Sequence, residues 1–200
     1  MFEIDKPVIS VFASGDSILE MPYEEIQEIK NHTYSISLNY GFQYIKPDMN
    51  IHSDIRVTEY IGKFFQTDIK TFKILSREEA FNRTVDQYKP LVDYWFKTHE
   101  FTRGNYTIIW LLGLLRHHFP NTKVLLFGVD FYISKNLKYY DTYTNYDKLK
   151  RGVGYKAQVK LDQCKVFMTK HTLSDNFINC NLKSGLDIYK KDNWRNYVNK

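Results

Sequence analysis

Val8–Ala13 reads VISVFA and runs directly into Ser14-Gly15-Asp16-Ser17. The run carries no charge, is β-branched at Val8, Ile9 and Val11, and is too short for a helix. That pattern predicts a strand buried on both faces, as in a parallel sheet. The small polar tetrapeptide predicts a turn. Ile18–Lys30 then reads as a helix. Pro22 sits where a first turn tolerates it, Glu24, Glu25 and Glu28 favour the N-terminal half, and Ile26 and Ile29 share one face. Thr33–Leu38 (TYSISL) alternates like a strand and stops at Asn39-Tyr40-Gly41. Strand, turn, helix, strand is the opening unit of an α/β sheet.

Outward from that unit, Met49–Val57 (MNIHSDIRV) is expected to be a strand entered after Pro47-Asp48, and Ile69–Leu75 is a further strand candidate. Ser76–Lys89 has helical composition, with Pro90 as its stop. Asn105–Phe119 is apolar on most faces, which predicts a deeply buried helix ended by Pro120-Asn121. Val124–Val129 (VLLFGV) reads as a second buried strand. Lys135–Lys156 is rich in Tyr, Lys and Asn and is expected to be a long loop. Ala157–Thr169 is expected to be a helix, with Val159, Cys164, Val166, Phe167 and Met168 on its buried side. Phe177–Asn181 is a last short strand, and the polar tail from Lys190 is assigned no element. The predicted order is βαβ–β–(β)–α–β–loop–α–β. It implies an α/β fold: a single domain over residues 1–200, a mostly parallel sheet flanked by helices, and a Tyr-rich mobile, lid-like loop at about 133–156.

Composition bounds the function. The chain has 200 residues, with 28 Lys+Arg against 23 Asp+Glu for a formal charge of +5. At 43% apolar residues it can bury a core, which excludes global disorder. Two cysteines, Cys164 and Cys180, form neither a disulfide framework nor a zinc ligand set, and free thiols fit a reducing compartment. No apolar run is long enough for a membrane span. Residues 1–7 carry two acids rather than the basic–apolar pattern of a secretory leader. A cytoplasmic location is therefore expected. The positive charge fits a solvated surface or an anionic partner, nucleic acid included. The unusual feature is 16% aromatics, with 16 Tyr and 14 Phe.

Parallel sheets bind ligands at the carboxyl ends of their strands. After the first strand come Ser14, Gly15, Asp16 and Ser17, small residues that let a backbone approach a phosphate. After the second comes Asn39, which can donate to and accept from a base or ribose. After the third, His52-Ser53-Asp54 brings a carboxylate. Thr102-Arg103-Gly104-Asn105 opens the apolar helix as a candidate phosphate cradle, and Asp130-Phe131-Tyr132 follows the second buried strand. The six histidines show no metal-ligand spacing, and neither a GxGxxG fingerprint, a Walker loop nor a GxSxG elbow is present. After Glu3 and Asp5, no pair of aspartates stands at the D-x-D spacing that holds a divalent ion on a diphosphate donor. No metal or other cofactor is expected.

Taken together, strand–SGDS–helix–strand–Asn39, Thr102-Arg103-Gly104 before the apolar helix, and GVDFY (Gly128–Tyr132) before a Tyr-rich loop resemble the bacterial CMP-sialic-acid-dependent sialyltransferases that decorate lipooligosaccharide. The likeness spans roughly Val8 to Tyr155 and implies a single Rossmann-like domain with a mobile lid. It implies a metal-independent glycosyltransferase that moves a sugar from a nucleotide-activated, CMP-linked donor to an acceptor hydroxyl on a glycan or other molecule. It further implies that Ser14, Gly15, Ser17 and Asn39 contact the donor, with Asp16, Thr102, Arg103, Gly104 and Asp130 beside them. Asp54 stands where the family has an Asn, and a carboxylate there would repel a donor carboxylate or phosphate. Tyr132 and, across the loop, Tyr139 or Tyr140 match tyrosines that stabilise the departing phosphate.

The family's catalytic His corresponds to Tyr155 after Gly154. A phenol of ordinary pKa near ~10 is a poor base at neutral pH. Either Tyr155 is a shifted base, or His171 or Asp54 takes over, or the chemistry is lost. Two alternatives to a glycan-modifying enzyme stay open on these residues. One is a nucleic-acid-modifying transferase of the same lineage. The other is a catalytically degenerate protein that binds a nucleotide-sugar or glycan.

Overall fold

The computed structural model describes residues 3–13, 15–64, 71–96, 107–130 and 155–198. Its strands are β1 (Val8–Phe12), β2 (Tyr34–Leu38), β3 (Met49–His52), β4 (Lys73–Arg77), β5 (Tyr94–Phe96), β6 (Lys123–Phe127), β7 (Phe177–Asn179) and β8 (Lys190–Lys191). They form one sheet in the order β5-β4-β3-β2-β1-β6-β7-β8. Every pairing in it is parallel. The helices are α1 (Tyr23–His32), α2 (Phe42–Ile45), α3 (Ile55–Phe64), α4 (Glu78–Arg83), α5 (Thr107–His118), α6 (Tyr155–His171) and α7 (Arg195–Val198).

The chain lays down β1 to β5 in one direction, then crosses back to place β6 on the other side of β1. With right-handed crossovers, that reversal carries the following helices to the opposite face. The core confirms two layers over a doubly wound, Rossmann-like sheet. Ile9, Val11, Ile36, Ile51, Val124 and Leu126 pack under α5 and α6. Val8, Phe12, Leu125 and Phe127 pack under Ile26 and Ile29 of α1, while Ile74 packs under Val57 and Ile61 of α3. Alternate residues of β1 and β6 thus serve both layers, which is why these strands read as continuous apolar runs. In α5, Ile109, Trp110, Leu111, Leu112, Leu114 and Leu115 are all buried. Each such side chain contributes roughly 1.5–3 kcal/mol relative to exposure.

One half of the α1–α3 face is polar. Ser35 and Ser37 of β2, Asn50 and His52 of β3 and Ser76 of β4 are fully buried there. The register pairs Ser37 with Asn50, whose Nδ2 reaches the Ser37 hydroxyl, and sets His52 beside Ser76, whose hydroxyl goes to the Arg77 carbonyl.

The structure corrects several expectations. Strand β3 stops at His52 instead of running to Val57, and Ile55 opens α3. The reason is Asp54, whose carboxylate accepts the backbone N–H of Arg56 at 3.0 Å while its carbonyl accepts that of Val57. Val166 and Phe167 are exposed at 67% and 39%, so among the described side chains the buried seam of α6 is Cys164 and Met168, four residues apart; the side chain of Val159 lies outside them. The tail assigned no element supplies β8, α7 and the buried Trp194. Strand β5 was unassigned, and Ser76–Lys89 divides into the end of β4, α4 and a 3-10 turn over Asp86–Leu91. The Tyr-rich loop expected at 133–156 lies outside the described residues, except that 155 and 156 belong to α6. Among the described residues, no helix is long and apolar enough to cross a membrane.

Candidate functional site at the strand exits

The reversal of strand order falls between β1 and β6, so the exits of these neighbours define the switch point. Two glycines join them. The N–H of Gly15 donates to the carbonyl of Gly128 at 2.9 Å, one step beyond the bond from Ala13 N–H to Phe127 O. A Cβ on Gly15 would lie 2.3 Å from the Gly128 oxygen and 2.4 Å from Oδ2 of Asp130. Gly128 has φ +67, the left-handed region that disfavours a side chain, and a Cβ there would meet Ile18 at 2.5 Å. Neither position has room for a side chain.

Asp130 is the knot of this junction. It is 5% exposed, and its Oδ2 accepts the backbone N–H of Ser17 at 2.9 Å. Oδ1 accepts the Ser17 hydroxyl and the Nδ2 of Asn181, the latter at 2.6 Å. Its carbonyl accepts Gly185 N–H at 2.7 Å and the Ser184 hydroxyl at 3.0 Å. The charge of Asp130 thereby holds the short 3-10 turn Asp16–Ile18 against the exits of β6 and β7. Beside it opens a cavity of about 250 Å³, lined by Ser17, Met21, Glu25, Phe127, Gly128, Cys180 and Asn181 among others. Burial pushes the Cys180 thiol well above its ordinary pKa, which favours the protonated form.

On the other side of β1, Asn39 leaves β2 with φ +51, a left-handed conformation that Asn tolerates better than most residues. Its carbonyl accepts Nδ2 of Asn50 at 2.9 Å, and its Oδ1 accepts the Thr107 hydroxyl at 3.2 Å. Thr107 also bonds the Ser53 hydroxyl at 2.8 Å. Asn50 reaches the Ser37 hydroxyl at 2.9 Å and His52 Nδ1 at 3.1 Å, and His52 Nε2 lies 2.6 Å from the Thr58 hydroxyl. Both amide hydrogens of Asn50 point to Ser37 and Asn39, so its Oδ1 accepts from His52. The imidazole proton is therefore on Nδ1, and Nε2 accepts from Thr58. Burial holds the His52 pKa down at about 4, against a smaller opposing pull from Asp54.

Asp54 is paired within its own turn. The Arg56 guanidinium grips both carboxylate oxygens, with Nε at 3.0 and 2.9 Å. Burial pushes the Asp54 carboxyl up, but the hydrogen bonds and charge of Arg56 outweigh it and hold the pKa below the ordinary value. The repulsion expected from a bare carboxylate is thus answered locally. No family model, no curated protein and no solved structure matches this chain.

Of the residues singled out in the sequence, Gly15, Ser17 and Asp130 come together at the switch point, with Asp16 in the same turn. Asn39 and Asp54 stand at the neighbouring exits of β2 and β3. Tyr155 is the first residue of α6. Ser14, Thr102, Arg103, Gly104, Tyr132, Tyr139 and Tyr140 lie outside the described residues. Sequence reasoning did not single out Asn181, Asn50 or Thr107 as site residues. Asn181 falls inside the predicted strand Phe177–Asn181, and it becomes an exit residue because β7 stops at Asn179. Asn50 and Thr107 sit inside elements, where no local pattern marks them. Among the described residues, no three His, Cys, Asp or Glu side chains are placed to hold a metal ion.

Proposed function

We propose that this protein is a metal-independent glycosyltransferase working in the cytoplasm on a nucleotide-activated, CMP-linked sugar. The observation that supports it best is the β1/β6 switch point. There a glycine-tight turn, a cavity and the polar exits of β2 and β3 line one edge of an all-parallel sheet. Such an edge suits a nucleotide, because backbone N–H groups and small polar side chains can meet phosphate and ribose without steric cost.

In this reading the acceptor hydroxyl attacks the anomeric carbon and a base takes its proton. The bond from that carbon to the phosphate oxygen breaks, and the nucleotide leaves with the electron pair. Tyr155 is the proposed base, and Tyr132, Tyr139 or Tyr140 and Arg103 stabilise the leaving phosphate. Asp130 would act indirectly, by fixing the turn that carries Ser17. The Asp54–Arg56 pair removes the net charge that argued against an anionic donor.

Calorimetric titration with CMP, UMP, AMP and GMP tests the reading. Saturable binding of CMP, weakened by Ser17→Ala and Asn39→Ala, is expected. Equal indifference to all four nucleotides refutes it.

A further inference from the structure

The polar network under the exits of β2 and β3 has a direction. Thr107 has one hydroxyl hydrogen, and it goes to Oδ1 of Asn39. Thr107 therefore accepts from Ser53, whose hydroxyl lies 2.8 Å away. On the opposite face of the sheet, Asn50 gives one amide hydrogen to the Asn39 carbonyl and is itself oriented by His52 and Ser37. Asn39 is thus gripped from both layers: by Asn50 on the α1–α3 side through its backbone, and by Thr107 of α5 through its side-chain oxygen.

What is left over is specific. Asn39 is half-buried, and its Nδ2 has no partner among the described residues. An amide whose oxygen is already bonded cannot rotate to present that oxygen without breaking the bond from Thr107. The left-handed backbone at φ +51 fixes the other end. A pre-oriented group loses less entropy on binding than a free rotor and discriminates more sharply.

We infer that Asn50 and Thr107 are positioning residues that hold Asn39 as a one-way hydrogen-bond donor, so that the bound nucleotide must offer it an acceptor oxygen. This rests on the proposed nucleotide site and adds its polarity. The acceptor is a base carbonyl or a phosphate oxygen, and a ligand presenting an N–H or O–H hydrogen at that point is rejected.

The test is calorimetric titration of the full chain with CMP, cytidine and ribose 5-phosphate, each variant first checked for an intact thermal transition. Asn39→Asp replaces the donor by a second acceptor and is expected to weaken CMP binding about 10-fold or more, the scale of one lost hydrogen bond to a charged or buried partner. Thr107→Val keeps the shape but frees the Asn39 amide, and a loss of about fivefold is expected, less than that of Asn39→Asp. Thr107→Ser restores the hydroxyl and is expected to stay within about twofold of wild type, which separates positioning from packing.

If the loss in Asn39→Asp appears with cytidine and not ribose 5-phosphate, the partner is the base carbonyl. If it appears with ribose 5-phosphate and not cytidine, the partner is phosphate. Wild-type binding of CMP with Asn39→Asp or Thr107→Val unaffected overturns the inference alone. A wild type that binds none of the three overturns the inference and the nucleotide site together.

Discussion

Lowering the pH should weaken this fold through one residue, His52. Its ring is fully buried, with Nδ1–H given to Asn50 and Nε2 taking the Thr58 hydroxyl. A proton added at Nε2 would put a charge into a fully buried site and break the bond from Thr58. The pKa is accordingly pushed down from 6.5 to about 4. The unfolded chain takes up that proton near 6.5 and the folded chain only near 4. Between those values the unfolded state holds more protons, so acid favours unfolding and stability rises with pH. For one group shifted by this much, about 2 kcal/mol is lost between pH 7.5 and 5, and about 3 kcal/mol by pH 4. Urea unfolding at several pH values measures it, with His52→Gln as the reference because glutamine does not titrate. Asp54 is coupled to the His52 ring as a minor contributor, and acidic groups away from it titrate alike in both proteins, so the difference in pH slope reports His52. The substitution's own cost is an offset and does not enter. Parallel stability–pH curves for the two proteins would refute the reasoning.

Three further outcomes are expected. Gly15→Ala should cost about 3 kcal/mol in chemical denaturation, because its Cβ would stand 2.3 Å from a carbonyl that the sheet holds in place. Asp130→Asn should cost about 2 kcal/mol, since an amide in place of a carboxylate turns an N–H toward one of its present donors and leaves a buried polar group unpaired. Trp194→Phe keeps the packing but loses the 3.0 Å bond from indole N–H to Glu25, and about 1 kcal/mol of destabilisation should appear in the urea midpoint.

The parts of the fold legible in the sequence were those where side chains alone decide. VISVF and the apolar run around Val124–Phe127 announce central parallel strands because both faces are buried. The run from Ile108 to Leu115 announces a covered helix. Strands β5 and β8 are three and two residues long, held by backbone pairing at the sheet edges, so they leave little side-chain pattern to read. At MNIHSDIRV the period-2 alternation continues by chance into the first turn of α3. The spacing of Val57 and Ile61 carried the helical signal. Val166 and Phe167 misled because apolar character was taken for burial.

The site divides in the same way. Strand exits could be named one at a time, since a polar residue after an apolar run is a local signal. Their partnerships could not. Ser17 and Asp130 are 113 residues apart, and Asn181 is 51 beyond Asp130. Only the strand order brings the three together. Asn50 and His52 looked like strand residues, and so they are. Their role lies in the row of buried polar groups that the register assembles across β2, β3 and β4.

The placement of β1 also has a consequence for synthesis on the ribosome. The first strand made is a central one, and its second edge waits for β6. The clasp between Ser17 and Asp130 spans 113 residues. At ribosomal speeds that separation corresponds to roughly 6–20 seconds. Throughout that interval the nascent VISVF segment presents an unpaired, uncharged edge of the kind that recruits stray strands. A chaperone that binds short apolar segments would find its earliest foothold there. Slower translation between β2 and β6 should lengthen that exposure and lower the soluble yield.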